Sequence, residues 1–267
     1  MELSISQVDA FTDRPFSGNP AAVCITESPL EVPLMQAIAK EMNLSETAFL
    51  VPVEGGYQLR WFTPVAEVDL CGHATLASAH VLWQEGHLKP ETTARFSTKS
   101  GWLSAQKDGD WIVMDFPSQP VTPNQYVMPQ LIKSLCCQGN IRAVSKNDTN
   151  YLVEMQSEAA LSSLQPDFVE MLKLPVQGVI ATAAANSEDC DFVSRYFAPA
   201  VGVDEDPVTG SAHASLAPYW QEKLGKSNMV AKQISARGGH LLVCCKPENR
   251  VQISGQAVTV LQGKLHL

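Results

Sequence analysis

The chain is organised around the stretch Asp204-Glu205-Asp206-Pro207-Val208-Thr209-Gly210-Ser211-Ala212-His213, which runs directly into an apolar, helix-like segment ending near Leu224. It combines acids, a turn-forming proline, small residues and a histidine. A Gly-Ser-Ala opening leaves backbone N–H groups accessible at a helix start, where the helix dipole favours negative charge. The stretch therefore predicts a helix N-terminus that can hold a carboxylate or phosphate.

An earlier segment of the chain resembles this stretch. Its members Phe62-Thr63-Pro64, Val68-Asp69 and Gly72 match Phe197-Ala198-Pro199, Val203-Asp204 and Gly210. The Phe and Asp pairs are each 135 positions apart and the Gly pair is 138 apart. Each copy has the pattern of a strand, a tight Gly turn and a helix. We interpret this repeat as two related halves; the alternative is chance recurrence of common residues.

Composition excludes several classes of protein. With 267 residues, 45% hydrophobic and 18% charged, the chain has the make-up of a globular protein of one large or two medium domains. A net charge of -9 argues against nucleic acid as a partner. Seven cysteines without CxxC spacing indicate reduced thiols and no metal site. Because the N-terminus has no signal-like segment and no apolar run is long enough to span a membrane, we expect a cytoplasmic protein without membrane association.

The pattern of short strands and few helices predicts an α+β protein of two similar domains, each a curved sheet around one central helix. The segment 117–123 contains three prolines in seven residues, which can neither continue a helix nor lie in a central strand. We therefore predict a first domain over residues 1–117 and a second over 124–255. Residues 256–267 are predicted to form a C-terminal strand that returns to the first domain.

Three residues of the first half are candidates for chemistry. Glu46 lies between a helix end and an apolar strand, where a carboxylate is partly desolvated; the alternative is a surface acid. His73 lies at a helix start, where we expect the dipole to keep the imidazole neutral; the alternative is a capping or partly buried histidine. Cys71 is either a reactive thiolate at the same helix end or a small buried side chain.

The second half offers an acid next to an anion-binding turn. Asp206 precedes Thr209 and Gly210, so it is either a functional carboxylate or a helix N-cap. Gly72 and Gly210 either let the backbone approach an anion or merely allow close helix packing. The occurrence of one such opening in each half, with ionisable groups beside it, favours two anion-binding turns that face one another across a cleft.

The ordered motifs of this chain resemble the phenazine-biosynthesis PhzF-like family. They are Phe11-Thr12-Asp13-Arg14-Pro15-Phe16-Ser17-Gly18-Asn19-Pro20-Ala21-Ala22-Val23, Met42-Asn43-Leu44-Ser45-Glu46-Thr47-Ala48-Phe49, Phe62-Thr63-Pro64, Val68-Asp69-Leu70-Cys71-Gly72-His73-Ala74-Thr75 and Glu205-Asp206-Pro207-Val208-Thr209-Gly210-Ser211-Ala212. The resemblance implies a diaminopimelate epimerase-like fold. In that fold each domain is a β-sheet half-barrel around a central helix, and the active site lies in the cleft between the domains.

The resemblance also implies roles for individual residues. The implied catalytic residues are Glu46, His73 and Asp206, and the implied substrate-binding residues are Asn19, Gly72, Gly210 and Ser211. The family's namesake isomerises a dihydro-hydroxyanthranilate without a cofactor, and one carboxylate can remove and return a proton on the same face of a substrate. We therefore expect a cofactor-independent isomerase that transfers a proton within a small carboxylate-bearing metabolite; the resemblance is also compatible with a homodimer.

One departure from the related epimerases affects the predicted mechanism. Thr209 stands where those enzymes have their second catalytic cysteine, and a hydroxyl is too weak an acid to alternate with a thiolate. Two-thiol epimerisation is therefore disfavoured. Inversion of an amino-acid-like substrate by Glu46 together with Asp206 or Cys71 stays open.

Two further functions remain as alternatives. One is a small-molecule-binding protein that has the same cleft but no efficient chemistry. The other is a hydrolase or transferase that uses Cys71 as nucleophile and His73 or His213 as base. We expect Cys71 and His73 not to meet, because adjacent positions on a helix point apart. The identity of the substrate is not indicated by these patterns.

Overall fold

The computed structural model describes residues 2–126, 128–137 and 139–267. The chain divides into two compact units, Met1–Phe116 with Gln252–Leu267, and Pro117–Val251. The first division point lies next to the proline-rich segment, and the second lies a few residues before the predicted end of the second domain. In the described part of the chain, no helix is both long enough and apolar enough to cross a membrane.

The elements of the first unit begin with a β-rich segment and include two helices. Its strands are β1 (Glu2–Ala10), β2 (Asn19–Ile25), β3 (Glu46–Val53), β4 (Gly56–Phe62), β5 (Glu67–Val68), β6 (Ala94–Thr98), β7 (Gly101–Asp108) and β8 (Trp111–Pro117), and its helices are α1 (Val32–Met42) and α2 (Gly72–Gln84). Pro33 in the first turn of α1 and a left-handed Asn43 at its end explain where this helix begins and stops.

The second unit follows with a similar set. Its strands are β9 (Thr122–Pro123), β10 (Ile141–Lys146), β11 (Asn150–Met155), β12 (Gly178–Ala184), β13 (Phe192–Ala198), β14 (Val203–Asp206), β15 (Asn228–Gln233) and β16 (Gly239–Lys246), and β17 (Arg250–Gly255) spans the second division point, with most of its residues in the first unit. Its helices are α3 (Pro129–Leu135), α4 (Glu158–Ser162), α5 (Phe168–Met171) and α6 (Gly210–Leu224), with a 3-10 turn at Pro199–Val201. The last strand, β18 (Ala257–His266), pairs along β1 in the first unit.

The sheet of the first unit surrounds α2. Neighbouring strands follow the order β18, β1, β2, β3, β4, β6 and β7, with short β5 beside β4. The β2/β3 and β4/β6 pairs are parallel, and the other pairs are antiparallel. Almost every residue of α2 is buried, because its small and apolar side chains face the sheet all round. This helix is therefore the centre of the unit's core.

The sheet of the second unit has the same plan around α6. Its order is β9, β10, β11, β12, β13, β15 and β16, with short β14 beside β13. The β11/β12 and β13/β15 pairs are the parallel ones, at the positions of β2/β3 and β4/β6. The predicted α+β class with two similar halves, each built on one central helix, is confirmed.

Matching ion pairs mark the same place in the two units. On the equivalent strands β4 and β13 an arginine makes two hydrogen bonds to a glutamate of the short strand that follows and lies over a phenylalanine ring. These trios are Arg60, Glu67 and Phe62 in one unit and Arg195, Glu205 and Phe197 in the other. The equivalence of the units thus extends to individual side chains.

The structural register corrects one part of the sequence repeat. The repeat matched Asp69 with Asp204, but the ladders pair Trp61 with Val68 in one unit and Tyr196 with Asp206 in the other. Because an irregularity in the β13/β14 ladder shifts the register, Asp206 is the counterpart of Val68. The carboxylate of Asp206 therefore has no acidic equivalent in the first unit.

Candidate functional site

Glu46 and His73 meet at the edge of the first unit's core. Glu46 is the first residue of β3, and His73 is the second residue of α2. Glu46 Oε2 lies 3.0 Å from His73 Nε2, although the residues are far apart in sequence. The His73 side chain is 5% exposed and that of Glu46 is 15% exposed, so the carboxylate still borders solvent. This contact places an acid and a base side by side at a helix N-terminus.

Asn19 contacts the other nitrogen of the His73 ring. It is the first residue of β2 and is fully buried, and its Nδ2 lies 3.1 Å from His73 Nδ1. In a neutral ring the amide donates to Nδ1, which leaves the proton on Nε2, facing Glu46. In a charged ring Nδ1 is itself a donor, so the amide has to turn its oxygen to it. Asn19 therefore orients the imidazole in either state.

The charge state of His73 differs from the prediction. Burial lowers the pKa of the imidazole, but the negative charges of Cys71 and Glu46 raise it, and the resulting pKa lies well above the usual range. Burial raises the pKa of the Cys71 thiol to about 11, so at neutral pH this side chain is uncharged and Glu46 is the relevant anion. The raised pKa favours a charged imidazole over the predicted neutral one, and at neutral pH the Glu46 carboxylate at 3.0 Å is the group that supports this charge.

The expectation that Cys71 and His73 point apart is also wrong. Cys71 Sγ lies 3.5 Å from His73 Nδ1. Cys71 is the N-cap of α2, with extended backbone angles of φ -143° and ψ 113°, so it does not follow the helical side-chain directions. Its raised pKa nevertheless keeps it a thiol, which is a poor nucleophile at neutral pH.

Two atoms of the Glu46 and His73 pair are unsatisfied. Glu46 Oε2 and His73 Nε2 are shielded from solvent, yet neither makes a well-aligned hydrogen bond with any residue that the structure describes. Buried polar atoms are rarely left in this state, and the exceptions concentrate at functional sites. Both atoms are thus available to a bound molecule.

Asp206 belongs to a hydrogen-bonded cluster in the second unit. The hydroxyl of Thr209 donates to Asp206 Oδ2. Gln233, which is 1% exposed, donates through Nε2 to Asp206 O at 2.7 Å and to Thr209 Oγ1 at 3.2 Å, and its Oε1 accepts from Thr209 N at 2.9 Å. Thr209, not Asp206, is the N-cap of α6. This cluster holds the Asp206 carboxylate beside the helix start.

Gln233 is a site residue that sequence reasoning missed. It is the last residue of β15. Its burial at a strand end is the one signal that it belongs to a site, because a buried amide group requires hydrogen-bond partners. Nothing in the spacing along the chain links it to Asp206 or Thr209.

Gly210 and Ser211 form the first turn of α6. The first hydrogen bond of the helical pattern runs from His213 N to Thr209 O, so the backbone N–H groups of residues 210–212 lie at the open end of the helix. Gly72 begins α2 in the same way, and there the first such bond runs from Thr75 N to Cys71 O. The prediction that both glycines open helices is confirmed.

His213 is part of the second unit's core. It is fully buried, and its Nδ1–H donates to Thr209 O at 2.8 Å. Burial lowers the pKa of its imidazole to about 4, and the ring stacks on Phe192. The arrangement is that of a neutral structural histidine, which argues against His213 as a catalytic base.

The predicted site residues thus form one group within each unit. Glu46, His73, Gly72 and Asn19 lie together in the first unit, while Asp206, Gly210 and Ser211 lie together in the second. In the first group, donor atoms of Glu46, Cys71 and His73 all lie within 4.8 Å of one another, a spacing that a metal ion could bridge. The cysteine spacing of the sequence did not indicate this cluster.

The chain is similar to proteins of one family over almost its whole length. A family model described as phenazine biosynthesis-like protein matches residues 8–263. An uncharacterized isomerase from Halalkalibacterium halodurans is 52% identical, with 100% of both chains covered. The crystal structure of a phenazine biosynthesis protein of the PhzF family from Enterococcus faecalis has a TM-score of 0.94 at 41% identity and covers 100% of both chains.

A more distant structure shares the fold alone. A hydroxyproline epimerase from Agrobacterium vitis has a TM-score of 0.64 at 12% identity, with 99% of this chain and 92% of the epimerase covered. The similarity at this level places the chain among epimerase-like folds and says nothing about its substrate.

Proposed function

The chain belongs to the phenazine biosynthesis-like protein family and is an isomerase, and we propose that its reaction is a cofactor-independent proton transfer within a small carboxylate-bearing metabolite. The observation that supports this reaction is the pair formed by Glu46 Oε2 and His73 Nε2, which are 3.0 Å apart, shielded from solvent and without well-aligned partners among the described residues. Homodimerisation and a cytoplasmic location stay predictions.

In the proposed reaction Glu46 moves the proton. Its carboxylate takes a proton from a carbon next to a conjugated system, and the electron pair of the broken C–H bond enters that system as an enolate or dienolate. The protonated Glu46 then returns the proton to a different carbon, and the double bonds shift. Such positioned acid/base catalysis typically contributes about 10²–10⁴-fold in rate.

His73 prepares Glu46 for this transfer. As an imidazolium it stabilises the Glu46 carboxylate before the reaction. When the proton reaches Glu46, the His73 N–H is released to donate a hydrogen bond to negative charge on the substrate. An electrostatic donor that is already in place where charge develops lowers the barrier without reorganisation.

Each of the two helix starts supplies a proposed anion site. The backbone N–H groups at Gly72 and at Gly210 and Ser211 lie at helix N-termini, which favour carboxylate groups. The Asp206 carboxylate, held by Thr209, would orient a hydroxyl or amino group of the substrate. These roles account for specificity towards a small carboxylate-bearing molecule.

A return of the proton to the same face is favoured over inversion. Inversion needs an acid on each side of the substrate, and Thr209 occupies the position that corresponds to Cys71 in the other unit. Glu46 alone is sufficient for a shift on one face. Epimerisation by Glu46 and Asp206 remains the second candidate reaction, and its product would be a stereoisomer rather than a double-bond isomer.

The test is a screen of small carboxylic acids for hydrogen exchange in deuterium oxide. We expect wild-type protein to incorporate deuterium into at least one acid and Glu46→Gln to lose about 100-fold or more of that rate, while it still binds the same acid. Glu41→Gln, which changes an exposed acid near the end of α1, is the matched control and should exchange normally.

Two outcomes would contradict the proposal. Undiminished exchange in Glu46→Gln would remove Glu46 as the acid/base group. Tight binding of an acid to wild-type protein without exchange would instead indicate a binding protein.

A further inference from the structure

The hydroxyl of Tyr196 takes the place in the second unit that the side chain of Glu46 takes in the first. The equivalent strands β3 and β12 begin with Glu46 and Gly178. A Cβ atom at Gly178 would overlap the hydroxyl oxygen of Tyr196, so the phenol fills the space that a side chain at this position would need. The polar group at this strand start is therefore a carboxylate in one unit and a phenol in the other.

We propose that Tyr196 is a specificity-determining residue, whose hydroxyl oxygen accepts a hydrogen bond from an amino or hydroxyl group of the substrate. This role rests on the proposed function, because it requires that the substrate carboxylate is held at the start of α6 in the same unit. Tyr196 adds a second, uncharged acceptor to the carboxylate of Asp206. Glu46 remains the group that transfers the proton.

Tyr196 and Asp206 lie on the side of the sheet that faces the start of α6. They are paired across β13 and β14, and directly paired residues point to the same face of a sheet. On this face the Asp206 carboxylate accepts from Thr209, the N-cap of α6. Tyr196 is half-buried, so its side chain borders solvent here. A substrate carboxylate at the helix start therefore lies on the same face of the sheet as this phenol.

A chain of hydrogen bonds fixes the direction of the Tyr196 hydroxyl. Asn147 Oδ1 accepts from the backbone N–H groups of Thr149 at 3.1 Å and Asn150 at 2.8 Å, so this atom is the oxygen of the amide. The Thr149 hydroxyl donates to the same oxygen at 3.1 Å, and its own oxygen accepts from Asn150 Nδ2 at 3.0 Å. The other end of the Asn150 amide is its oxygen, to which Tyr196 donates at 3.0 Å.

The phenol therefore offers lone pairs, and no proton, to a bound molecule. Its O–H group is used by Asn150, the one hydrogen-bond partner of this hydroxyl among the residues that the structure describes. Burial and the negative charge of Asp206 raise the pKa of Tyr196, so the group stays an uncharged phenol at neutral pH. An analogue without an N–H or O–H group leaves this acceptor without a partner, and such a mismatch weakens binding.

The equivalent aromatic residue of the first unit has the opposite polarity. It is Trp61, which pairs with Val68 across β4 and β5. Indole has a donor and no acceptor, and Trp61 is 1% exposed. Of these two positions, Tyr196 alone combines an acceptor with access to solvent. The difference favours a role in recognition over a role in the frame that the units share.

The experiment compares the binding of anthranilate and benzoate, which share a ring and a carboxylate and differ in one amino group. Titration calorimetry gives the two dissociation constants for each variant. We expect wild type to bind anthranilate at least about threefold more tightly than benzoate. Tyr196→Phe keeps the ring and removes the acceptor, so the ratio of the constants should fall by about 3–10-fold, the usual effect of one uncharged hydrogen bond.

Matched variants separate recognition from folding. Tyr151→Phe also removes one phenol hydroxyl, which donates to Met128 Sδ, and it should keep the wild-type ratio. Urea titrations check that both variants are folded. A merely structural hydroxyl at Tyr196 would change the stability and not the ratio. Glu46→Gln, which lacks the proposed reaction, should show the wild-type ratio, so the binding test does not depend on turnover.

The outcomes distinguish this role from the reaction itself. Equal binding of the two acids by wild type, or a wild-type ratio in Tyr196→Phe, would overturn the role of Tyr196 and leave the reaction at Glu46 standing. A ratio that falls equally in Tyr151→Phe would also overturn it. A lowered ratio in Tyr196→Phe, in a protein that exchanges hydrogen with none of the screened acids, would contradict the proposed reaction and leave the recognition role standing.

Discussion

The two units have the same arrangement of strands, but of the equivalent strands β3 and β12 only β3, in the first unit, begins with an acidic residue. Glu46 begins β3, and the parallel ladder pairs it with Ala21. Gly178 begins β12, and the equivalent ladder pairs it with Asn150. A Cβ atom at Gly178 would lie 2.6 Å from Tyr196 Cζ, so the ring of this tyrosine occupies the space above the glycine. A second carboxylate at the equivalent place is therefore sterically excluded.

The two central helices differ in the same direction. Before α2 stands Cys71, with His73 in the first turn, while before α6 stands Thr209, with Ser211 in the first turn. At these two equivalent positions a thiol and an imidazole of the first unit are thus replaced by hydroxyls in the second. The duplicated frame is conserved between the units, and the difference favours one proton-transfer group over a symmetric pair of bases.

The largest effect is expected at the two equivalent first-turn positions. His73→Asn should lower the rate of deuterium exchange by about 10²–10⁴-fold, because it removes the charged partner of Glu46. Ser211→Ala, at the corresponding position of α6, should lower it by about tenfold or less, because backbone N–H groups remain there. Exchange rates under saturating acid measure both, and equal losses would contradict the asymmetry of the two units.

Sequence patterns predicted the central helices of these units better than they predicted the pairing register of the strands. Glycine followed by small residues marked the starts of α2 and α6, since α2 is buried along nearly its whole length and α6 is buried through its first two turns. The shift that makes Asp206 the counterpart of Val68 arises from an irregular strand pairing. Such an irregularity leaves no mark in the spacing of residue types.

The residues of the site could be predicted from the sequence, but the contacts between them could not. Family motifs indicated Glu46 and His73, whereas no local pattern shows that a strand start and a helix start approach to 3.0 Å. The prediction for Cys71 failed because it assumed helical geometry at an extended N-cap residue. The prediction of a neutral His73 counted the helix dipole alone, whereas the contact with the Glu46 carboxylate favours the charged ring. Both errors come from tertiary contacts.

A smaller difference, in the free energy of unfolding, is expected between variants of the equivalent arginines Arg60 and Arg195. Arg195 is 12% exposed and donates to Glu205 and also to the carbonyl oxygens of Leu161 and Leu164, whereas Arg60 is 25% exposed and bonds Glu67 alone among the hydrogen bonds described for it. Arg195→Ala should lower the free energy of unfolding by about 3–5 kcal/mol, because it removes the charged partner of the partly buried Glu205 carboxylate and the side-chain donor to the Leu164 carbonyl oxygen. Arg60→Ala should cost about 1–3 kcal/mol.

Urea titrations of the two arginine variants measure these changes in the free energy of unfolding. Arg60→Lys and Arg195→Lys are the controls, since each keeps the charge but loses the paired hydrogen bonds. A larger loss in Arg60→Ala than in Arg195→Ala would show that the two ion pairs are not energetically ordered by their burial.

The smallest effect concerns the two buried histidines, whose pKa values move in opposite directions. The pKa of His213 is lowered to about 4 by burial, while it is near 6.5 in an unfolded chain. Between these values the unfolded state binds a proton that the folded state does not, so stability is lost as pH falls from about 6.5 towards 4. His73 has a raised pKa, so its contribution is present below about 6.5 and is lost as pH rises through the folded value.

His213→Gln therefore removes the loss of stability at low pH that the buried neutral imidazole causes, whereas His73→Asn does not. Between pH 7 and pH 5 the wild type should lose about 2 kcal/mol more stability than His213→Gln, from about 1.4 kcal/mol per pH unit below the unfolded pKa. Denaturant titrations at the two pH values measure this difference, and NMR of the imidazole nitrogens at pH 7 should show a charged His73 and a neutral His213. A neutral His73 at that pH would remove the charged partner of Glu46 and, with it, the electrostatic difference between the two helix starts.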